Sequence, residues 1–315
     1  MTDHSVSVVV PVYNAESSLR ELIDRLTAVF HEGGARAEFI LVNDGSSDAS
    51  WAMIESLAAS NQDVRGIDLM RNFGQHNALL CGIRSARHEV IVTLDDDLQN
   101  PPEEIPKLLR RLSEGYDVVY GTPLKEAHGL LRDCASKVTK LALQSAMGAD
   151  NARNVSAFRA FRTNLRRAFE DFKGPNASID VLLTWGTKRF SAVKVRVDPR
   201  AYGKSNYTLS KLVSHAFTMM TGFSVLPLQF ASIVGFAFTV LGISTLVFVV
   251  IRYLIAGDQV PGFPFLASMI AVFAGVQLFA LGVIGEYLGR IHFRMMDRPT
   301  YAIKANAERQ AALEN

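Results

Sequence analysis

Cysteine is nearly absent from this chain. The 315 residues contain two, Cys81 and Cys134, with no CxxC pair and no Cys/His cluster. That counts against a disulfide scaffold and a structural zinc site. Net charge is also small: 33 basic residues against 31 acidic ones leave +2. So weak a field gives no bulk reason for nucleic-acid binding, and no nucleic-acid partner is expected. The first strand-to-helix turn lacks GxGxxG, and GxxxxGK[ST] occurs nowhere. Both absences count against a Rossmann dinucleotide site and a P-loop. The opening "MTDHSVSVVVPVYN" has neither a basic stretch nor an apolar run of roughly 7–15 residues, so it does not read as a signal peptide.

Charge is missing locally as well. Residues 212–251 hold no Lys, Arg, Asp or Glu, and neither do residues 259–285. A helix needs about 20 apolar residues to cross a bilayer, and each stretch suffices. The sequence therefore predicts a cytoplasmic domain of catalytic size over 1–207 and interfacial amphipathic helices over 208–227, broken by Gly222 and Pro227. Transmembrane helices follow over 228–256 and 263–289, then a basic tail over 290–315. Lys204 and Lys211 precede the first span, and Arg290, Arg294, Arg298 and Lys304 follow the second. The connecting loop has no basic residue. Basic residues stay on the cytoplasmic side, so both ends are expected inside and the loop outside.

The first half alternates strand and helix patterns. "VSVVVPVY", "AEFILVN", "VRGIDLM", "EVIVTL" and "DVVYG" read as strands, with apolar residues at helical spacing between them. Such alternation predicts an α/β domain with a mostly parallel sheet and helices on both faces. "NDGSSD" (43–48) directly follows the second strand, and the acidic triplet of "TLDDDLQNPPEE" (93–104) follows the fourth. Ligands of open α/β sheets bind at the carboxyl ends of the strands, which puts both acidic turns on one rim. Carboxylates crowded into one turn are costly unless a hard cation sits among them, and such a cation commonly also grips a diphosphate.

"VVVPVYN", "LVNDGSSD", "RNFGQHNALLCGI" and "TLDDDLQNPPEEIP", with the C-terminal apolar pair, resemble the polyisoprenyl-phosphate glycosyltransferases of glycosyltransferase family 2, which have the GT-A fold. In look they are nearest to the undecaprenyl-phosphate 4-deoxy-4-formamido-L-arabinose transferases and the bactoprenol glucosyltransferases. The resemblance covers residues 5–300. It implies inverting transfer of a sugar from a nucleotide sugar, UDP-linked, to undecaprenyl phosphate at a bacterial inner membrane. It also implies Mg²⁺ or Mn²⁺ as cofactor and a homo-oligomer, a tetramer by preference.

By the same resemblance, Pro11 and Tyr13 line the nucleotide, Asp44 reads the base, and Asp96 lies near ribose and diphosphate. Asp95, Asp97 and Gln99 hold the metal. Arg132, Ser136, Arg159, Arg200 and Ser205 contact diphosphate or lipid phosphate, with Asp97, Arg132 and Arg200 the catalytic set. Three positions depart from the family pattern. Ala15 stands where a glutamate is usual, with Glu16 one place late. Ala157 replaces an aspartate often discussed as a base. Lys125 is the nearest substitute for a missing arginine after "GTP". A processive polysaccharide synthase would need a Gln-x-x-Arg-Trp motif, which Trp185 does not supply. An inactive sugar-nucleotide-binding scaffold is the non-enzyme alternative.

Overall fold

A computed structural model describes residues 4–124, 154–174, 177–199, 225–256 and 262–309. The chain divides into two units, one of residues 1–209 with 297–315, the other of residues 210–296.

The first unit is built on an eight-stranded sheet. Its strands are β1 (Val6–Val12), β2 (Ala37–Asn43), β3 (Val64–Leu69), β4 (Val90–Thr93), β5 (Val118–Pro123), β6 (Arg159–Arg162), β7 (Phe190–Val195) and β8 (Ile303–Glu308). Their order is β7-β5-β6-β4-β1-β2-β3-β8. The central strands β4, β1, β2 and β3 are mutually parallel. All seven residues of β1 are buried, which is why "VSVVVPV" reads as an almost unbroken apolar run: a parallel strand is covered on both faces. Pro11 is tolerated because β4 accompanies β1 only as far as the Val9–Thr93 pair. At Pro11 the strand has β2 alone as neighbour, which is where a residue without an N–H fits.

Helices cover both faces. Helix α1 (Leu19–Gly33) buries Leu19, Leu22, Ile23, Leu26 and Phe30, the stripe expected of a 3.6-residue period. With α2 (Ser50–Ser60) and α4 (Ile105–Ser113) it packs on one face. Helix α3 (Gln75–Ser85) and helix α5 (Ile179–Gly186) pack on the other. Gly82 lets α3 lie close to β1, since a Cβ there would stand 2.3 Å from Val9 Cγ1.

Strands β6 and β8 run antiparallel to their neighbours. Neither is foreseen in the sequence, and β8 corrects the reading of residues 290–315 as only a basic tail. Ile303–Glu308 pairs with β3 and closes that edge of the sheet. Its alternation places polar residues outward at an edge, so it carries no apolar run to mark it. Side chains pin it: Arg87 grips Glu308 at 2.7 Å, and Lys304 Nζ lies 3.0 Å from Asp68 Oδ2. Asp68 is buried and also accepts a hydrogen bond from Asn43 Nδ2 at 2.7 Å.

The second unit contains two long helices, α6 (Leu226–Ala256) and α7 (Phe263–Met295). The stretches Pro227–Arg252 and Val272–Phe293 are long and apolar enough to cross a membrane, and neither is buried within the chain. At 1.5 Å per residue the 26 residues of the first span about 39 Å, against a hydrocarbon core of about 30 Å. Phe236 and Leu254 are 71% and 75% exposed, a surface that needs lipid or another chain to cover it. Phe238 and Phe273 meet edge to face between the two helices. The interfacial helices expected over 208–227 lie almost wholly outside the described residues.

Replacing Lys304 by Met leaves the buried Asp68 without its cation. Asp68 keeps the Asn43 bond but loses one charged partner, and a hydrogen bond to a charged group contributes about 1.5–3 kcal/mol, so the variant should melt measurably lower in detergent than the parent. An unchanged melting temperature would show that β8 is not held by this pair.

Candidate active site

The order β4-β1-β2-β3 reverses direction between β1 and β4, and clefts form at such switch points. The acid-bearing loops after β1, β2 and β4 meet there. At the end of β1, the Tyr13 amide donates to Asp96 Oδ2 at 3.2 Å. Asn14 follows with φ +54, a left-handed conformation that asparagine tolerates. Its side chain accepts the Ser47 amide at 2.8 Å, joining this loop to the one after β2.

Asp44 leaves β2 with its carboxylate accepting the amides of Phe73 and Gly74 at 2.7 and 2.8 Å. Burial raises its pKa despite these bonds. The loops after β2 and β3 touch backbone to backbone. A Cβ at Gly45, where φ is +65, would stand 2.5 Å from Arg71 C and Asn72 N. Only glycine suits both the conformation and the approach.

The acidic triplet follows β4. Leu98 takes φ +60 with its side chain buried in the core. A leucine in that conformation is unusual, and its anchoring turns the chain sharply after Asp97. The Gln99 amide returns to Asp97 Oδ1 at 3.1 Å. Asp95 Oδ1 accepts Gln75 Nε2 at 2.6 Å. Burial, and then repulsion from Asp95 and Asp97, push Asp96 up to about 7. The Asp198 amide donates to Gln99 O at 2.9 Å, so the strand-β7 exit closes on the same loop.

The structure thus brings Pro11, Tyr13, Asp44, Asp95, Asp96, Asp97 and Gln99 to one rim. Arg132, Ser136, Arg200, Ser205 and Lys125 lie outside the described residues. Arg159 is placed differently from the expectation. Its guanidinium is 1% exposed, ion-paired to Asp180 and bonded to Thr93 Oγ1 at 3.0 Å. Tyr120 Oη donates to the same Asp180 oxygen at 3.1 Å. This arginine is committed to the core beneath the acid-bearing end of β4 and is not presented to a phosphate. Its partner lies 21 positions later in the chain, so nothing local in the sequence revealed the pairing.

The departures from the family pattern also find places. Glu16 Oε2 accepts the Ala49 amide at 2.8 Å at the start of α2, while Asp48 accepts the Glu16 amide. Ala157 offers its carbonyl to the Thr93 hydroxyl at 2.7 Å. Sequence reasoning missed Phe73, Gly74 and Gln75 as individual site residues. The run "RNFGQHNA" was the available signal.

Among the described residues no group of three or more His, Cys, Asp or Glu converges as a complete metal cage. The rim instead fits a hard cation such as Mg²⁺, which commonly takes one or two carboxylates and fills its shell with substrate phosphates and water. Asp96 is raised first by burial and then by its two acidic neighbours, and a cation there would relieve the second cause.

A switch-point cleft with carboxylates after the two parallel strands that flank β1 fits a GT-A nucleotide-sugar transferase. The sequence profile described as glycosyl transferase family 2 matches residues 7–169, and the chain belongs to that family: it is a glycosyltransferase. It is 36% identical over 302 residues to the undecaprenyl-phosphate 4-deoxy-4-formamido-L-arabinose transferase of Shewanella sediminis, covering 95% of this chain and 91% of that protein. The Pseudomonas fluorescens protein of the same name is 35% identical over 312 residues, covering 98% and 92%. Among solved structures, glucosyl-3-phosphoglycerate synthase from Mycobacterium tuberculosis, in complex with Mn²⁺, UDP and glucosyl-3-phosphoglycerate, superposes with a TM-score of 0.52 at 19% identity. That match covers 69% of this chain and 78% of the other. At this identity the likeness establishes the fold.

Two outcomes follow from the geometry. A carboxylic acid whose folded pKa lies near 7 binds its proton more tightly folded than unfolded. Its contribution to stability is therefore present at low pH and is lost as pH rises from about 4 through about 7. In chelator, Asp96→Asn should gain stability relative to the parent between pH 5 and pH 8, and Mn²⁺ should shrink that gain. A difference constant with pH would show that Asp96 is not raised in the folded protein. Secondly, Asp180→Ala leaves Arg159 charged and buried, which costs about 3–5 kcal/mol. Denaturant unfolding of the two proteins should show a loss of that size, and a loss below 1 kcal/mol would mean the pair is not structural.

Proposed function

We propose that this glycosyltransferase moves a sugar from a UDP-linked donor to undecaprenyl phosphate, with inversion, at the cytoplasmic face of a bacterial inner membrane. The product is a lipid-linked sugar for cell-envelope glycan or lipid A modification. One observation carries the reading: relatives named for this transfer align over 95% of the chain or more, through the rim and both apolar helices.

In this reading Asp44 accepts from the base, Tyr13 and Pro11 flank the nucleoside, and Asp96 lies toward ribose and diphosphate. Asp95, Asp97 and Gln99 hold a divalent cation, Mg²⁺ or Mn²⁺. When bound, the cation neutralises charge on the departing diphosphate. Arg132, Ser136, Arg200 and Ser205 hold the two anions that must meet at one anomeric carbon, a task of positioning and electrostatic stabilisation. The acceptor is a phosphate monoester with a second pKa of about 6, as for phosphoserine, and at pH 7 it is already a nucleophilic dianion. A protein base, which elsewhere contributes about 10²–10⁴-fold, has little proton to remove. An alanine at position 157 is compatible with that chemistry. A homo-oligomer also suits the second span, because Gly275, Gly282, Gly285 and Gly289 each face open space within the chain and small residues allow close helix contact.

The test is turnover of a panel of nucleotide sugars with undecaprenyl phosphate, read by mass spectrometry, over pH 5 to 9. UDP-linked donors should be consumed only when the lipid phosphate is present, and the rate should follow ionisation of the acceptor. Ala157→Asp should bring no large gain. Absence of lipid-linked product with every donor would sink the reading, and a hundredfold gain in Ala157→Asp would show that a base was wanted.

A further inference from the structure

We propose that Gln75 is a positioning residue of the donor site, holding the Asp95 carboxylate in the orientation that receives the divalent cation. The proposal rests on the metal-dependent reading above. The contact that carries it is Gln75 Nε2 to Asp95 Oδ1 at 2.6 Å. A carboxylate directly after a strand rotates about its own χ angles unless something engages one oxygen. A hydrogen bond at Oδ1 fixes that rotation, and with it the direction of the second oxygen.

The residue supplying the bond is itself held. Gln75 opens α3 directly behind Gly74, whose φ is +94. The amides of Phe73 and Gly74 are bound by Asp44. Asn77 Nδ2 donates back to Phe73 O at 2.8 Å, and Asn77 Oδ1 accepts the Ala177 amide at 3.3 Å. One turn of chain is thereby anchored at the base-side acid and reaches the diphosphate-side acid. The three residues Phe73, Gly74 and Gln75 span the gap between the loops after β2 and β4. A rigid backbone is what a supporting side chain needs to hold its partner within a fraction of an ångström.

The residue type suits the task. A lysine would also donate to Asp95, but its charge would favour the ion pair and compete with the cation. A leucine of similar size could not donate. An uncharged amide orients the carboxylate without bringing a positive charge of its own. Outer partners of metal-ligating groups commonly change metal affinity by about 10–100-fold when removed, so an exposed glutamine at this point has a measurable task.

The test uses the purified full chain in detergent, stripped of metal and titrated with Mn²⁺ in the presence of UDP, with free Mn²⁺ read by electron paramagnetic resonance. Gln75→Leu and Gln75→Ala should each weaken Mn²⁺ binding by about tenfold or more, with melting temperature in chelator unchanged. In an Asp95→Ala background Gln75→Leu should have no further effect, since a residue acting through another loses its influence when that other is gone. Mn²⁺ affinity within twofold of the parent in both single variants would overturn the proposal. So would an equal effect of Gln75→Leu with and without Asp95, or a fall in melting temperature that accompanies the weaker binding. If Asp97→Asn binds Mn²⁺ as the parent does, the metal reading itself is wrong and this proposal falls with it, a result distinct from failure at Gln75 alone.

Discussion

Three aspartates share one half-buried turn at the carboxyl end of β4, and their mutual repulsion is the constraint that the surrounding structure answers. Like charges that close in a medium less polarisable than water favour uptake of a proton or a cation. The fold holds them there by covalent and apolar means: Leu98, driven into the core, fixes the turn in a left-handed conformation. Each acid then receives a donor from a different direction. Tyr13 approaches from β1, Gln75 from α3 and Gln99 from the turn itself. All three donors are uncharged amides, so these bonds orient the carboxylates without adding a positive charge.

The same rim is supported from below by charge that has been cancelled. Arg159 and Asp180 pair in the core, with Tyr120 and Thr93 completing their bonds. Thr93 is the last residue of β4, so the buried pair is bonded to the strand two positions before the first aspartate of the triplet. On the far side, Lys304 and Asn43 satisfy Asp68 beneath the loop that carries Asp44. Buried ions are tolerable only when paired and fully bonded; Arg159 and Asp180 are both buried, whereas Asp68 is a buried acid met by an exposed lysine. The strand that brings Lys304 comes from beyond the apolar helices, so the C-terminal segment is part of the catalytic unit.

The departures from the family pattern become local rearrangements when seen in place. Glu16, one position later than the usual glutamate, bonds the start of α2 and is in turn held by Asp48. Its carboxylate serves loop-to-loop packing between the ends of β1 and β2. Ala157 contributes a carbonyl to Thr93, a contact any residue type could make, so the missing side chain does not disturb the support of β4.

Much of this was legible from the sequence because it depends on local chemistry. Apolar runs broken at helical spacing specify buried parallel strands and their covering helices, and β1 to β5 and α1 to α4 follow that pattern. Acids immediately after the second and fourth strands must reach the same rim once the strands are parallel, which places Asp44 with Asp95, Asp96 and Asp97. Two long stretches without charge specify helices that water alone does not stabilise. What the sequence could not decide depends on partners far apart in the chain. An arginine in a family motif looks the same whether it faces a phosphate or, like Arg159, a buried aspartate. The polar alternation of Ile303–Glu308 has no meaning until the open edge of β3 is there to receive it. Gln75 is an ordinary first residue of a helix until the packing of α3 on β1, close enough to require Gly82, sets its amide against Asp95. Burial and pairing are properties of the assembled sheet, and they decide which polar groups are satisfied inside and which remain available at the rim.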